Sequence, residues 1–258
     1  MKTVILAGGL GTRLAEETEV IPKPMVEIGG RPILWHIMKH YASYGFEEFG
    51  IALGYRGDVI KKFFLDEQRV SGSLTIDLKN GVVQPHGRRA EPWVVHLAET
   101  GANTMTGGRV RRMRSWIGGE TFMATYGDGV TNVDLDALVR FHKSHGLLAT
   151  LTAVRPPARF GALIFESDGP RVHRFSEKPQ TGEGWINGGF FVFEPGIFEY
   201  LTDDSASLEA HGLERIAEAG QLAAYRHDGF WQCMDTLRDK KQLSALWDAG
   251  TAPWKVWQ

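Results

Sequence analysis

A glycine-rich loop with an arginine follows the first apolar run of the chain. The run from Val4 to Ala7 leads directly into GGLGTR, which spans Gly8 to Arg13. Glycines let backbone N–H groups approach phosphate oxygens without a Cβ in the way, and an arginine adds a fork of charged donors. The loop therefore predicts phosphate binding, with an ordinary tight turn as the alternative.

Two familiar phosphate loops do not fit this spacing. A dinucleotide-binding fingerprint that starts at Gly9 requires a glycine or alanine where the chain has Leu14. A Walker loop that starts at Gly8 requires a glycine where the chain has Arg13. An NAD-dependent oxidoreductase is therefore disfavoured, and the loop is of another kind, with its cation inside it.

A lysine between two prolines is a second candidate cation. The motif PKPM places Lys23 between Pro22 and Pro24. Because prolines restrict the backbone on both sides, the lysine is held in a limited set of directions. We interpret Lys23 as a positioned cation for a phosphate; a solvated lysine in a stiff loop is the alternative.

Two aspartates end apolar stretches and could hold a hard cation. In YGDGV, Asp128 stands between Gly127 and Gly129, and FWQCMDT supplies Asp235. Mg²⁺ usually takes one or two carboxylates and leaves its other positions to water and phosphate. The pair predicts a magnesium site, although each aspartate alone is typical of a turn or cap, and nothing local shows that the two converge.

Three further positions could contact a small polar ligand. SEKP puts Lys178 immediately before a proline, and INGGFF puts Asn187 ahead of two glycines. Arg109 falls in the first turn of a helix predicted after Thr106, where unpaired N–H groups favour an anion. An ordinary turn is the alternative for Lys178 and Asn187.

The composition favours small-molecule chemistry. The 258 residues carry 29 basic and 31 acidic side chains, so no global field attracts nucleic acid or an anionic membrane. The single cysteine, Cys233, excludes an intramolecular disulfide and offers no metal-ligand spacing. The apolar run near the N-terminus is too short for a targeting segment or a membrane span. We therefore expect a cytoplasmic protein with no nucleic-acid or membrane partner.

Strand and helix patterns alternate along the chain. This alternation predicts an α/β fold, a three-layer sandwich with a mostly parallel, Rossmann-like central sheet. Ligands bind beyond the carboxyl ends of such strands, so the loops after Ala7 and Tyr126 are predicted to carry the chemistry. The predicted strands are Val4 to Ala7, Phe49 to Leu53, Leu74 to Leu78, Val94 to Leu97, Phe122 to Tyr126, Leu148 to Val154 and Phe190 to Phe193. The predicted helices are Pro32 to Gly45, Asp58 to Phe64, Gly108 to Ile117, Leu135 to His145 and Leu237 to Trp247.

Several motifs occur together in one order. They are LAGGLGTRL, PKPM, GGRPILWHIMKHY, YGDGV, PPARFGAL, EKP, INGGFF and FWQCMDTLRDK. From Met1 to the end of the chain, this set resembles the sugar-1-phosphate nucleotidylyltransferase family, of the nucleotide-diphospho-sugar transferase fold type. Within that family, MVEIGGRPILWHIMKHY, EPWVVHLAETG, MTGGRVRR and the final APWKVWQ are most similar to the glucose-1-phosphate cytidylyltransferases of deoxysugar pathways.

The resemblance implies a reaction and a set of roles. CTP and glucose 1-phosphate would give CDP-glucose and pyrophosphate with Mg²⁺ as cofactor, in a homo-oligomer of single-domain chains. The nucleotide-binding part would cover about 1–130 and the sugar-phosphate part about 131–258. Nucleotide contacts are implied at Leu6, Ala7, Gly8, Gly9, Leu10, Gly11, Thr12, Arg13, Lys23, Thr104 and Arg109. Sugar-phosphate contacts are implied at Glu177, Lys178, Asn187 and Gly188, metal ligands at Asp128 and Asp235, and catalytic roles at Arg13, Lys23, Asp128, Lys178 and Asp235.

One segment departs from the resemblance. Where the cytidylyltransferases carry Glu-Pro-Leu near the sugar pocket, this chain has His211, Gly212 and Leu213. The expected consequence is the loss of a carboxylate that accepts a sugar hydroxyl, which would change the accepted sugar or relax its selection. Two alternatives stay open: the same reaction with another nucleoside triphosphate or sugar 1-phosphate, and a nucleotide-binding regulator without turnover.

Overall fold

The computed structural model of the chain describes residues 1–9, 21–69, 72–86, 91–156, 162–165, 172–176 and 184–257. Its strands alternate with helices, as the sequence predicts. The strands in these ranges are β1 (Thr3–Leu6), β2 (Glu27–Ile28), β3 (Arg31–Pro32), β4 (Glu48–Leu53), β5 (Ser73–Asp77), β6 (Val82–His86), β7 (Val94–Glu99), β8 (Phe122–Tyr126), β9 (Gly129–Thr131), β10 (Ala149–Val154), β11 (Ala162–Phe165), β12 (Val172–Ser176), β13 (Ile186–Phe193), β14 (Leu222–His227) and β15 (Trp231–Cys233).

The central sheet has the strand order β14-β10-β13-β8-β1-β4-β7. Strand β13 runs antiparallel to both of its neighbours, whereas the other pairs in this sheet are parallel. In the middle of the sheet, Leu6 at the end of β1 lies opposite Tyr126 at the end of β8. The loops that follow these two strands therefore emerge side by side at the carboxyl edge of the sheet.

Helices cover both faces of this sheet. Along β1 the side chains alternate, so that Ile5 joins one buried cluster and Val4 joins the other. Two cores on opposite faces confirm the predicted three-layer α/β sandwich. None of the helices in the described ranges is long and apolar enough to cross a membrane. Within the described ranges the α-helices are α1 (Ile33–Ala42), α2 (Gly57–Arg69), α3 (Thr106–Arg112), α4 (Arg114–Ile117), α5 (Leu135–His145), α6 (Glu214–Glu218) and α7 (Leu237–Asp248).

The first core joins the C-terminal part of the chain to α1. Trp254 is fully buried there, stacks on Phe230 and donates from its indole nitrogen to Nδ1 of His36 at 3.4 Å. The His36 ring is buried in turn and contacts the carbonyl of Ile28 at 2.9 Å. Trp254 is therefore part of the same core as α1.

The structure refines several predicted elements. Strand β8 and helix α5 have the predicted bounds, whereas the helix predicted from Gly108 to Ile117 is broken into α3 and α4 at Met113. Strand β13 begins at Ile186, earlier than predicted, because Ile186 and Asn187 pair with Val154 and Ala153 of β10, before a shift in register. Strand β14 was not predicted, since its apolar run from Leu222 to Tyr225 is short and contains two alanines, which are depleted in strands.

Helix α7 begins with a reciprocal cap beside Asp235. The Asp239 backbone N–H donates to the Thr236 hydroxyl at 3.2 Å, and the Asp239 carboxylate accepts from the N–H groups of Thr236 and Asp235 at 2.9 and 3.1 Å. Such a capping box pairs helix N–H groups that would otherwise lack partners. It also fixes the backbone of Asp235.

We expect Thr236→Ala to lower the free energy of unfolding by about 1 kcal/mol, because the cap loses its side-chain acceptor. Urea denaturation followed by circular dichroism measures the change. The control is Lys241→Ala on the exposed face of the same helix, which should stay within about 0.5 kcal/mol of the parent. Equal stability of the two variants would contradict the role of the cap.

Candidate active site

A short antiparallel ladder brings the two predicted metal ligands together. Strands β9 and β15 pair with Gly129 opposite Cys233, and the N–H of Met234 donates to the carbonyl of Asp128 at 2.8 Å. Asp128 and Asp235 therefore lie at the same end of this ladder, close to the carboxyl end of β8. The convergence that the local sequence left open is present in the fold.

The Lys23 ammonium lies between these carboxylates. It donates to Oδ2 of Asp128 at 2.7 Å and to Oδ1 of Asp235, and its side chain is 11% exposed. Burial alone would lower the pKa of Lys23, but the Asp128 and Asp235 carboxylates outweigh burial and hold that pKa above its ordinary value. The lysine is therefore charged at neutral pH and neutralises part of the aspartate pair.

Local backbone structure aims this lysine. Lys23 opens a 3-10 turn that ends at Met25, with Pro22 immediately before it and Pro24 buried inside it. A Cβ on Gly127 would lie 2.9 Å from the Pro24 ring, so the turn packs directly against the loop that carries Asp128. The proline-flanked lysine thus reaches across to the aspartates from a fixed turn.

A first cavity of about 360 Å³ opens beside these charges. It contains most of the residues for which the resemblance implies a nucleotide contact. Four of the implied residues, Leu10, Gly11, Thr12 and Arg13, lie outside the described residues. The cavity is lined by Leu6, Ala7, Gly8, Gly9, Lys23, Pro24, Thr104, Met105, Thr106, Arg109, Tyr126, Gly127, Asp128 and Asp235.

Arg109 braces the floor of this cavity. Its guanidinium is buried and donates to the carbonyls of Gly8 at 2.9 Å, Leu53 at 3.0 Å and Gly101 at 2.8 Å, and to the Thr100 hydroxyl at 2.7 Å. These bonds tie the glycine loop to the ends of β4 and β7. Arg109 therefore shapes the cavity through the backbone, and its direct contact with a nucleotide stays a prediction.

A second cavity of about 390 Å³ adjoins the first. Both cavities are lined by Tyr126, Asp128 and Asp235, so the carboxylates stand where the two meet. The indole of Trp231 donates to the carbonyl of Gly188 at 2.7 Å and fixes one wall. Glu177 and Lys178 lie outside the described residues. The second cavity is lined by Thr125, Tyr126, Asp128, Gly129, Asn187, Gly188, Gly189, Phe190, Trp231, Cys233 and Asp235.

Sequence reasoning missed Tyr126, Trp231 and Glu209. The Tyr126 hydroxyl contacts the Glu209 carboxylate across 83 residues of sequence. Tyr126 could have been found from its place just before Gly127 and Asp128, but nothing in the local sequence marks Glu209.

The structure shows where the segment around His211 lies, and its effect on sugar selection stays a prediction. His211 is exposed, its Nδ1 accepts from the Ser207 N–H at 3.0 Å, and it lines neither cavity as the described residues define them. The carboxylate in this segment that lies near the cavities is Glu209, which contacts Tyr126.

Known proteins resemble this chain in sequence and in fold. A family model described as nucleotidyl transferase matches residues 2–252. The glucose-1-phosphate cytidylyltransferase of Salmonella typhi is 50% identical over 259 residues, and a probable glucose-1-phosphate cytidylyltransferase of Bacillus subtilis is 46% identical over 258 residues; in both cases all of this chain and all of the relative are covered. The crystal structure of HddC from Yersinia pseudotuberculosis has a TM-score of 0.70 at 24% identity, covering 95% of this chain and 99% of that one.

The family match, together with the layered fold, identifies the chain as an enzyme that transfers nucleotidyl groups. The chain belongs to the nucleotidyl transferase family. Its full-length similarity to glucose-1-phosphate cytidylyltransferases places those enzymes among its relatives.

We expect Gly8→Ala to lower the free energy of unfolding by about 1 to 3 kcal/mol, since overpacking costs about that much. A Cβ on Gly8 would lie 2.2 Å from Nη1 of Arg109, so the guanidinium or the loop must shift. Gly9→Ala is the matched control, because no atom of the described residues lies within 4 Å of a Cβ there. Equal unfolding free energies for the two variants would show that Arg109 does not brace Gly8.

We expect Cys233 to resist alkylation in the folded protein between pH 7 and 9. Burial, then the charges of Asp235 and Asp128, raise the pKa of the thiol to about 12, so the reactive thiolate stays scarce until the pH approaches that value. Iodoacetamide labelling followed by intact mass reads this one cysteine directly. Labelling in urea at the same pH should be much faster, and equal rates would contradict the prediction.

Proposed function

We propose that the protein transfers a cytidylyl group from CTP to glucose 1-phosphate, giving CDP-glucose and pyrophosphate. The observation that carries the proposal is the meeting of two cavities at Asp128 and Asp235. Two substrates that react with each other need adjoining sites, and their shared boundary is where the reacting atoms lie. The choice of CTP and glucose 1-phosphate is supported by relatives with that printed activity at 50% and 46% identity over the full chain.

We assign the nucleotide to the first cavity and the sugar phosphate to the second. A phosphate oxygen of glucose 1-phosphate attacks the α-phosphorus of CTP in line. A bond forms between this oxygen and the α-phosphorus as the bond from the α-phosphorus to the oxygen that bridges to the β-phosphorus breaks. Pyrophosphate leaves with the electron pair of the broken bond. No covalent intermediate with the enzyme is needed.

The residues of the chain serve this reaction mainly by charge and position. Two anions must be held against each other, and fixed cations lower their repulsion without reorganising during the reaction. Lys23 lines the first cavity, and its ammonium contacts the two carboxylates at the boundary of the cavities. Arg13 and Lys178 are proposed for the same work on the triphosphate and on the sugar phosphate, following the resemblance.

The aspartate pair fits a divalent cation. Asp128 and Asp235 already share one positive group, the Lys23 ammonium, which shows that both carboxylates can face a single cation. Two carboxylates with the remaining positions open to phosphate and water match the preference of Mg²⁺. We propose Asp128 and Asp235 as its ligands; when bound, Mg²⁺ would offset phosphate charge near the α-phosphorus.

Self-association of the chain is also part of the proposal. Apolar side chains stand exposed on the hairpin formed by β5 and β6, where Leu78 at the turn is 90% exposed. Apolar surface of this kind is typical of contacts between protein copies. Light scattering of the purified protein measures the number of chains directly.

The reaction is tested with purified protein, MgCl₂, each common nucleoside triphosphate and a panel of sugar 1-phosphates. We expect pyrophosphate release with CTP and glucose 1-phosphate, and a product with the mass of CDP-glucose. Asp128→Asn and Asp235→Asn should each lower kcat by about a hundredfold or more, since each removes a charge from the reacting region. Asp66→Asn, on the exposed face of α2 and outside both cavities, should leave kcat unchanged.

Turnover of CTP with another sugar phosphate would move the proposal to that sugar. Turnover of glucose 1-phosphate with another triphosphate would move it to that nucleotide. A folded protein that releases no pyrophosphate from any pair would contradict the proposed reaction and leave a nucleotide-binding protein without turnover.

A further inference from the structure

A chain of hydrogen-bonded side chains runs from the first cavity to the second. The Thr106 hydroxyl, in the first cavity, donates to Oε2 of Glu209 at 2.7 Å. The other oxygen of that carboxylate, Oε1, accepts from the hydroxyl of Tyr126, which lines both cavities. Asn187, in the second cavity, donates from Nδ2 to the Tyr126 hydroxyl oxygen at 3.3 Å. The two cavities are therefore joined by side chains as well as by their shared boundary.

The direction of these bonds follows from the groups involved. A phenol has one O–H, and a carboxylate can only accept, so Tyr126 donates to Glu209 and turns its lone pairs toward Asn187. The Asn187 amide is held at its other end too, because Oδ1 accepts from the Gly189 N–H at 2.9 Å. Among the described residues, the second Nδ2 hydrogen of Asn187 has no protein acceptor. That hydrogen is available to a ligand in the second cavity.

Glu209 itself is held firmly. Its Oε2 also accepts from the Ser207 hydroxyl at 2.7 Å, and the Ser207 oxygen accepts from the Glu209 backbone N–H at 3.2 Å. The residue lies in a single turn of π-helix, Leu208–Leu213, a rare conformation that occurs often at functional sites. Burial would raise the pKa of Glu209, but the hydrogen bonds from Tyr126, Ser207 and Thr106 outweigh it and hold that pKa below its ordinary value. Glu209 is therefore a fixed anion at neutral pH.

We propose that Glu209 is a positioning residue for the sugar-phosphate site: by accepting from the Tyr126 hydroxyl it fixes Tyr126, which in turn aims the amide of Asn187 into the second cavity. Glu209 lines neither cavity as the described residues define them, so it acts through Tyr126. The identity of the ligand, glucose 1-phosphate, rests on the proposed function. The arrangement of the side chains does not.

The first test is Tyr126→Phe, which keeps the ring and removes only the hydroxyl. We expect KM for glucose 1-phosphate to rise about tenfold or more, because a hydrogen bond to a charged group is lost and Asn187 is released. KM for CTP should stay unchanged, since the ring still fills its place in the first cavity. A rise in both KM values together would indicate a general loss of structure and would overturn the proposal.

The second test is a pair of changes at Glu209. Glu209→Ala removes the acceptor of Tyr126 and should reproduce the Tyr126→Phe effect, whereas Glu209→Gln keeps one acceptor oxygen and should give a smaller rise in KM. In the double variant Glu209→Ala with Tyr126→Phe, KM for glucose 1-phosphate should rise no further than in the weaker single variant, because both changes remove the bond between Tyr126 and Glu209. Additive effects would overturn a role through Tyr126. Glu214→Gln, exposed on α6, is the matched control.

Calorimetric binding of glucose 1-phosphate separates this inference from the proposed function. If the parent converts CTP and glucose 1-phosphate, and the Tyr126 and Glu209 variants have the same KM for glucose 1-phosphate, the inference fails and the proposed function stands. If the parent releases no pyrophosphate with any pair of substrates, the proposed function fails. The Kd values of the parent and the variants then test the inference on their own. A Kd that rises in the two variants and not in Glu214→Gln supports the inference; an unchanged Kd, or no binding by the parent, overturns it.

Discussion

The structure of the site depends on one ammonium group placed between two carboxylates. Without Lys23, Asp128 and Asp235 would face each other with like charges, in a place where their side chains are only 31% and 13% exposed. An unpaired charge in such surroundings is costly, whereas the shared ammonium offsets both carboxylates at once. The three groups come from a turn after β1, the end of β8 and the end of β15. One local interaction therefore holds together three distant stretches of the chain, and both cavities open on it.

The sequence predicts those features that depend on residues close together in the chain. Helix α5 is predictable because Asp134 caps its start by accepting from the Ala137 N–H, and Gly146 ends it in the left-handed conformation. The glycine loop and Asp128 stand out because glycines leave the backbone open beside them. The restricted orientation of Lys23 is predictable from the prolines on either side of it. In each case the residues that determine the feature lie within a few positions of it.

Other features depend on pairing between distant segments and could not be predicted in this way. Asp235 lies close to Asp128 only because β15 pairs with β9, and the residues near either aspartate do not predict that pairing. The Glu209 carboxylate contacts Tyr126 from a turn of π-helix, which no periodic pattern in the sequence predicts. The bonds from the Arg109 guanidinium to the carbonyls of Gly8 and Leu53 likewise join segments that are far apart in the sequence. These outcomes follow from tertiary packing, which local spacing does not encode.

The reversed direction of β13 has a consequence for where its polar and its aromatic residues lie. Because this strand runs against its neighbours, its first residues and not its last stand at the carboxyl edge, and Asn187 enters the second cavity from there. The remainder of the strand, from Phe190 onward, is locked into the core by Phe191 and Phe193. Under the proposed function, the residue that would contact the sugar phosphate and the aromatic residues that pack the core therefore lie at opposite ends of one strand.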